Sequence, residues 1–359
     1  MLAYNERKGE AFLRSLSGKS PLFVCTIGTT ETAKIPGISA AGKNPELTDY
    51  TPPADVELLL LGKCKCIARV PVTPEGIPTP ALITMSALRM ADIPALVASA
   101  GLNVKPCVPF LDLGGDPGRD IRSGNAVDNV EETLRRAMIA GENLAKTADY
   151  LVIGESIPGG TTTALGILMA MGIDARGKVS SSMPNNPHDL KVKTVHAGLK
   201  ASGAETGAFA EDPLKAVSCV GDPMIPAFAG LVLGAASKVP VLMAGGTQMA
   251  AVLAVVNALN RDVLDNVAIG TTRWIISDRT ADLKGIITQI AHIPVLAADL
   301  NFSQSKLDGL RAYEAGAVKE GVGAGGVAIA AMAKSEGSIT KEILLREIER
   351  NYELLVGSK

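Results

Sequence analysis

Short apolar runs rich in β-branched residues recur along this chain with helix-length segments between them, and that alternation restricts the fold more than any other feature. The runs are PLFVCTIG (21–28), VPFLDLGG (108–115), YLVIGES (150–156), AVSCVGD (216–222), VPVLMAGG (239–246) and IPVLAADL (293–300). Between most of them lie segments such as SALRMADIPALVASAG, NVEETLRRAMIAGENLAKTA and IPAFAGLVLGAASK, which read as helices. Strands apolar along their whole length are buried on both faces, which calls for parallel pairing with right-handed helical crossovers. The expected fold is therefore α/β: a doubly wound, mostly parallel, Rossmann-like sheet. A large domain is expected over 20–335. NERKGEAFLRSL near the start and SITKEILLREIERNYELL near the end, the latter opening on a Ser338 cap, read as amphipathic helices. They are expected to close on each other as a small helical lobe of residues 1–19 and 336–359.

Charged residues make up 20% of the chain and the formal net charge is -2, so no basic excess exists to attract nucleic acid or a membrane surface. The stretch 239–259 has the length of a membrane span but is interrupted by Gly245, Gly246, Thr247 and Gln248, and reads better as a buried strand, turn and helix. Five cysteines in a chain with no secretory leader point to reducing cytoplasm. Cys64 and Cys66 are separated by one residue rather than two, and the three histidines are scattered, so neither a metal centre nor a cofactor is expected.

In doubly wound sheets the ligand lies beyond the carboxyl ends of the strands. YLVIGESIPGGTTTALGIL reads as strand, turn and helix, with Gly159 and Gly160 in the turn and Thr161, Thr162 and Thr163 at the helix start. Free N–H groups and hydroxyls converge there as a phosphate cradle that needs no basic side chain. Position 160 is Gly where a Walker A loop requires Lys, which disfavours an NTPase. Glu155 stands beside this cradle, as a cap of the loop or as a group that binds sugar hydroxyls or neutralises a cation near the phosphate. Lys191 and Lys193 offer charge, either to a phosphate or to solvent. The loops 28–54 and 113–127 are candidate lids or plain solvated connections. In VKEGVGAGGVAIA (318–330), Glu320 precedes a glycine-rich turn and a helix; capping and chemistry both explain a charge there.

Taken together, GESIPGGTTTALGIL, GDPMIPAFAGLVLGAASKVPVLMAGG and LAADLNFSQSKLDGLRAYEAGAVKEGVGAGGVAIA resemble, in the same order, three stretches of the nicotinate-nucleotide–dimethylbenzimidazole phosphoribosyltransferases, in a divergent branch of archaeal type. VPFLDLGG is similar to another of their strand ends, and the resemblance runs from about residue 80 to 333. It implies that Glu320 is the catalytic base, with Gly321 and Gly323 in the same substrate-binding turn, and that Glu155 is a second acidic group near the ribose. Lys193 then falls at the phosphate, and Thr271 and Thr272 are assigned to the same end. A glutamine that helps hold the base has no counterpart; Ser86 is the nearest candidate. The family's Asn of the cradle is Gly160 here, and its Asp-Gly after the later strand is Gly245-Gly246.

The function expected from the resemblance is transfer of ribose phosphate from nicotinate mononucleotide to a benzimidazole-like base, the step that builds the cobalamin lower ligand, by a homo-oligomer, expected to be a dimer. Transfer to another aromatic base and a nucleotide-binding regulatory protein without catalysis are the alternatives. A Rossmann dehydrogenase is set aside, because TIGTTETAK stands where an early G-x-G-x-x-G belongs.

Overall fold

Five of the six apolar runs contribute strands to a single eight-stranded sheet in the computed structural model, which describes residues 2–39, 41, 45–73, 76–183 and 185–356. In chain order the elements are β1 (Leu2–Tyr4), α1 (Glu6–Leu16), β2 (Pro21–Ile27), α2 (Thr51–Leu61), α3 (Ala81–Met90), β3 (Ala95–Ser99), β4 (Leu111–Asp112) and α4 (Val130–Leu144). Then come β5 (Tyr150–Ser156), α5 (Gly160–Ala170), α6 (His188–Ala201), α7 (Pro213–Val220), α8 (Met224–Ala236), β6 (Val241–Ala244) and α9 (Gln248–Leu259). The chain ends with β7 (Val267–Thr272), α10 (Arg273–Ile276), α11 (Leu283–Ile287), β8 (Val295–Ala298), α12 (Asp308–Arg311), α13 (Ala324–Lys334) and α14 (Lys341–Leu355).

The sheet order is β1-β8-β7-β6-β5-β2-β3-β4, parallel throughout except for β1, which runs antiparallel along β8 at one edge. The chain builds outward from β2 to β4, then returns to lay β5 on the other side of β2, with Pro21 opposite Tyr150 and Ile27 opposite Ser156. This reversal makes the β2/β5 boundary the switch point, where a crevice opens beyond the strand ends. Side chains alternate between two cores. Leu22, Val24, Leu151 and Ile153 face a layer built from α4 to α9, whereas Phe23, Cys25, Tyr150 and Val152 face α2, α3 and α13. Both faces of the central strands are covered, which is why β2, β5 and β6 are apolar along most of their length, with Thr26, Glu155 and Ser156 gathered near the carboxyl ends.

Both terminal segments share the second core. β1 extends the sheet, α1 packs on α13 and α14 on α3, and Phe12, Leu16, Leu344 and Ile348 are buried in one cluster with Phe23 and Val152. The cap of α14 is Thr340, whose hydroxyl accepts the Ile343 N–H, rather than Ser338.

Three local expectations are corrected. AVSCVGD is not a strand: Asp212 caps and Pro213 opens α7, and a short apolar run does not by itself distinguish a buried helix from a strand. SALRMADIPALVASAG is a helix followed by a strand, broken where Asp92 turns left-handed (φ 48°) ahead of Pro94. β7 lies in a segment that the alternation passes over. The stretch 239–259 does divide into β6 and α9, and among the described residues no helix is long and apolar enough to cross a membrane.

Candidate active site

The crevice at the switch point holds a cavity of about 200 Å³. One wall is the β5–α5 connection, with Glu155, Ser156, Gly159, Gly160 and Thr161. Another is the turn before α13, with Glu320, Gly321 and Val322. Ser180 to Ser182 and Gln248 close a third side, and Asp55, Thr79 and Pro80 a fourth. Ile38, Ser39 and Ala41 bring the 28–54 loop to the rim; Ala40 and residues 42–44 of that loop lie outside the described residues. The other candidate lid, 113–127, is tied to α7 instead, its Ala126 and Val127 N–H groups donating to the Ser218 carbonyl.

The cradle depends on glycine at Gly159. Gly159 caps α5 with φ 79°, and a Cβ there would stand 3.0 Å from the Ala33 backbone, whereas at Gly160 it would first meet the side chains of Gln248 and Ile157. The chain therefore passes close to its neighbours and leaves the first turn of α5 facing the cavity. Thr161 lines that cavity, but Thr162 is fully buried in the helix, away from it. Thr163 is buried too, its hydroxyl bonded to Asp222. Asp222 in turn accepts the Met224 and Ile225 N–H groups at 3.0 and 3.2 Å, and burial pushes its pKa up to about 6.

Glu155 and Glu320 meet at this cavity. Glu155 is 4% exposed. Burial first, then Asp222, Glu320 and Asp55, push its carboxyl up to about 8, against one N–H donated by Ile157 at 3.1 Å. Glu320 is half-buried as a residue, but its carboxylate is enclosed: Gly321 and Gly325 donate N–H groups at 3.1 and 3.2 Å and Thr271 Oγ1 donates at 3.4 Å. Burial outweighs these donors and raises it to about 7. A third carboxylate, Asp55, accepts the Thr79 and Ser156 hydroxyls at 2.7 Å each and is pushed by burial to about 6.

Several expected residues stand elsewhere. Lys193 is exposed on α6 and away from the cavity, because α6 turns Lys191 inward instead. Lys191 is fully buried and donates to the Ser180 carbonyl at 2.6 Å; burial and then the nearby Lys319 lower it to about 7. Thr271 and Thr272 hold the Glu320 turn rather than lining the cavity, Thr272 Oγ1 donating to the Lys319 carbonyl at 2.6 Å. Ser86 lies in the core between helices, donating to the Leu82 carbonyl and accepting from Asn351 Nδ2 at 3.0 Å. Gly321 is at the cavity, whereas Gly323 (φ 71°) packs against Phe23 and Gly154 at the strand ends.

Asp55 is the residue sequence reasoning missed, and Lys191 is the one of the two named lysines that turns inward. The signal for Asp55 was a pair of carboxylates, Asp55 and Glu57, inside a leucine-rich helix, TPPADVELLL. Among the described residues no group of three or more His, Cys, Asp or Glu side chains is placed to hold a metal.

A family model described as phosphoribosyltransferase matches residues 88–274, just over half the chain, including Glu155 and the cradle but ending before Glu320. A UPF0284 protein of Methanothermobacter thermautotrophicus is 47% identical over 89% of this chain and 90% of its own length. One of Sulfolobus acidocaldarius is 46% identical over 96% and 99%. Among solved structures, CobT from Thermus thermophilus superposes with a TM-score of 0.58 at 16% identity, covering 93% of this chain and 92% of that one. A structure of the nicotinate-nucleotide–dimethylbenzimidazole phosphoribosyltransferase from the same organism gives 0.55 at 17%, covering 95% and 96%. The structural likenesses establish the fold; the matching family model, over more than half of the chain, shows that the chain belongs to that phosphoribosyltransferase family, and its archaeal relatives group it with the UPF0284 proteins.

Proposed function

We propose that the protein transfers ribose phosphate from nicotinate mononucleotide to a benzimidazole-like base, giving an α-ribazole phosphate and nicotinate. The observation that carries this reading is that Glu320 and Glu155 share one cavity with the N-terminus of α5. A protein that only bound a nucleotide phosphate would need neither carboxylate, and burying both is costly.

The chemistry follows from the charges. A ring nitrogen of the base gives its electron pair to the anomeric carbon. The bond from that carbon to the pyridinium nitrogen breaks, and its electron pair leaves with nicotinate as a neutral ring. The second nitrogen of the base becomes acidic as the new bond forms, and Glu320, titrating near 7, takes its proton. Glu155, titrating near 8, is mostly protonated at neutral pH and serves as a hydrogen-bond donor to the ribose. The phosphate rests on the α5 N-terminus, and the basic role expected of Lys193 passes to Lys191 behind the Ser180 carbonyl. An incoming phosphate would raise the affinity of Lys191 for its proton and so complete the charge balance.

The test is incubation with nicotinate mononucleotide and a panel of aromatic bases, benzimidazoles, adenine and phenols, with mass spectrometry of the nucleotide products. A benzimidazole nucleotide plus released nicotinate is expected. Products with adenine or phenols alone would move the reading to another base, and no product with any base would favour a regulatory binder.

A further inference from the structure

Glu320 sits in a backbone segment that a chain adopts only under constraint. Val318 and Lys319 have φ of 63° and 55°, and each is spanned by a hydrogen bond from residue i+2 to residue i: Lys319 N–H to the Ala317 carbonyl and Glu320 N–H to the Val318 carbonyl, both 2.7 Å. Those are two successive γ-turns of the positive-φ kind, which are rare and strained, and one is centred on a β-branched residue. Val322 is left-handed as well, with φ 54°. Such a conformation persists only where its surroundings fix it at several points.

The fixings can be named. The Val318 N–H donates to the Ser182 carbonyl at 2.9 Å, Thr272 Oγ1 to the Lys319 carbonyl at 2.6 Å, and the Val322 N–H to the Glu155 carbonyl at 2.9 Å. The strongest is ionic: Lys319 Nζ lies 2.7 Å from Asp278, with side chains only 3% and 5% exposed. Asp278 is itself fixed by the Thr280 N–H and hydroxyl at 2.9 and 2.8 Å. Neither Lys319 nor Asp278 lines the cavity.

We propose that Lys319 and Asp278 are positioning residues, a buried ionic latch that holds the double γ-turn and thereby aims the Glu320 carboxylate into the cavity. A buried ion pair adds little net stability over an apolar pair, so its presence one residue from Glu320 is better explained by geometry than by folding energy. The inference rests on Glu320 being the proton acceptor of the proposed reaction.

The test compares kcat and KM of the full chain with nicotinate mononucleotide and dimethylbenzimidazole for Lys319→Met, Lys319→Arg, Asp278→Asn and the Met/Asn double variant. A misaimed base costs roughly 10- to 100-fold in kcat, with both KM values within about threefold. Lys319→Arg is expected to recover most of that loss. The double variant is expected to lose no more than the worse single one, since the two act as a unit. A folded Lys319→Met enzyme with kcat within about twofold of the parent, or one altered only in KM, overturns the proposal. If Lys319→Met does not fold, Asp278→Asn decides: it keeps the shape of the side chain and removes the charge that pairs with Lys319, and an unchanged kcat rejects the latch. Amide hydrogen exchange across 318–322 reads the same latch without turnover; Lys319→Met should speed it by about tenfold or more, and unchanged protection counts against it. Glu320→Gln is run alongside. If that variant keeps its turnover, the assignment of the base fails; if it is inactive while Lys319→Met matches the parent, only the latch does.

Discussion

Glu320 can take a proton only when ionised, and burial leaves it ionised only above about pH 7. Turnover should therefore rise with pH through that value. Glu320→Gln is expected to keep the fold and most of the ligand affinity, to lose roughly a hundredfold or more in kcat, and to abolish that acid limb; near-normal turnover would reject the role. Glu155 makes a different prediction, about stability. Its ordinary pKa of 4.5 is raised to about 8 in the folded state, so the folded protein holds a proton that the unfolded chain releases between those values. The sign follows: its contribution to stability is complete below about 4.5 and is lost as pH rises towards 8, by an amount on the order of a few kcal/mol. Glu155→Gln should melt higher than the parent at pH 8, differ less at pH 5, and transfer ribose phosphate poorly. Equal pH dependence of melting in parent and variant would show that Glu155 is ionised without penalty.

At the scale of elements, the β5–α5 connection is the proposed phosphate cradle and the α3–α14 contact is scaffold. Gly159→Val introduces a Cβ 3.0 Å from the Ala33 backbone at a positive φ, so the turn must shift away from Ala33 and lose its present geometry at the cavity. Calorimetry should show weaker nicotinate mononucleotide binding and unchanged binding of the free base; an unchanged mononucleotide affinity removes the cradle from the site. Ser86→Ala leaves Asn351 without its hydroxyl partner across the α3–α14 contact and should cost about 1–2 kcal/mol in denaturant unfolding. Base preference should not move, and a change in product ratios across the base panel would restore Ser86 to the site. These two elements also mark what could be read from the chain alone. Strand, Gly-Gly turn and threonine-rich helix start are contiguous, so their chemistry is visible in one window of sequence. Which of Lys191 and Lys193 faces inward is decided by how α6 docks on its neighbours, and two lysines in one helical turn carry no mark of that. Asp55 was hidden for a related reason: its partners Thr79 and Ser156 are brought to it by the sheet, not by spacing.

For the whole molecule, the alternation of apolar runs determines a two-faced parallel sheet, and the sheet order determines where the crevice opens. Runs too short to be strand or helix on their own evidence, AVSCVGD among them, are settled only by what they pack against. The reaction proposed for this crevice moves no phosphoryl group and releases an uncharged ring, so it needs no cation to offset developing charge. Activity should survive thorough chelation, and a strict Mg²⁺ requirement on readdition would point to a pyrophosphate-containing donor instead. Glu155 and Glu320 are made far apart in synthesis: β5 emerges midway, whereas Glu320 follows every strand of the sheet. A ribosome-bound or truncated chain ending before residue 318 would carry the cradle without the base. It would also lack α13 and α14, which complete the second core, so on the proposed function the appearance of turnover during biosynthesis would report that the turn before α13 and the helices after it had been translated and docked.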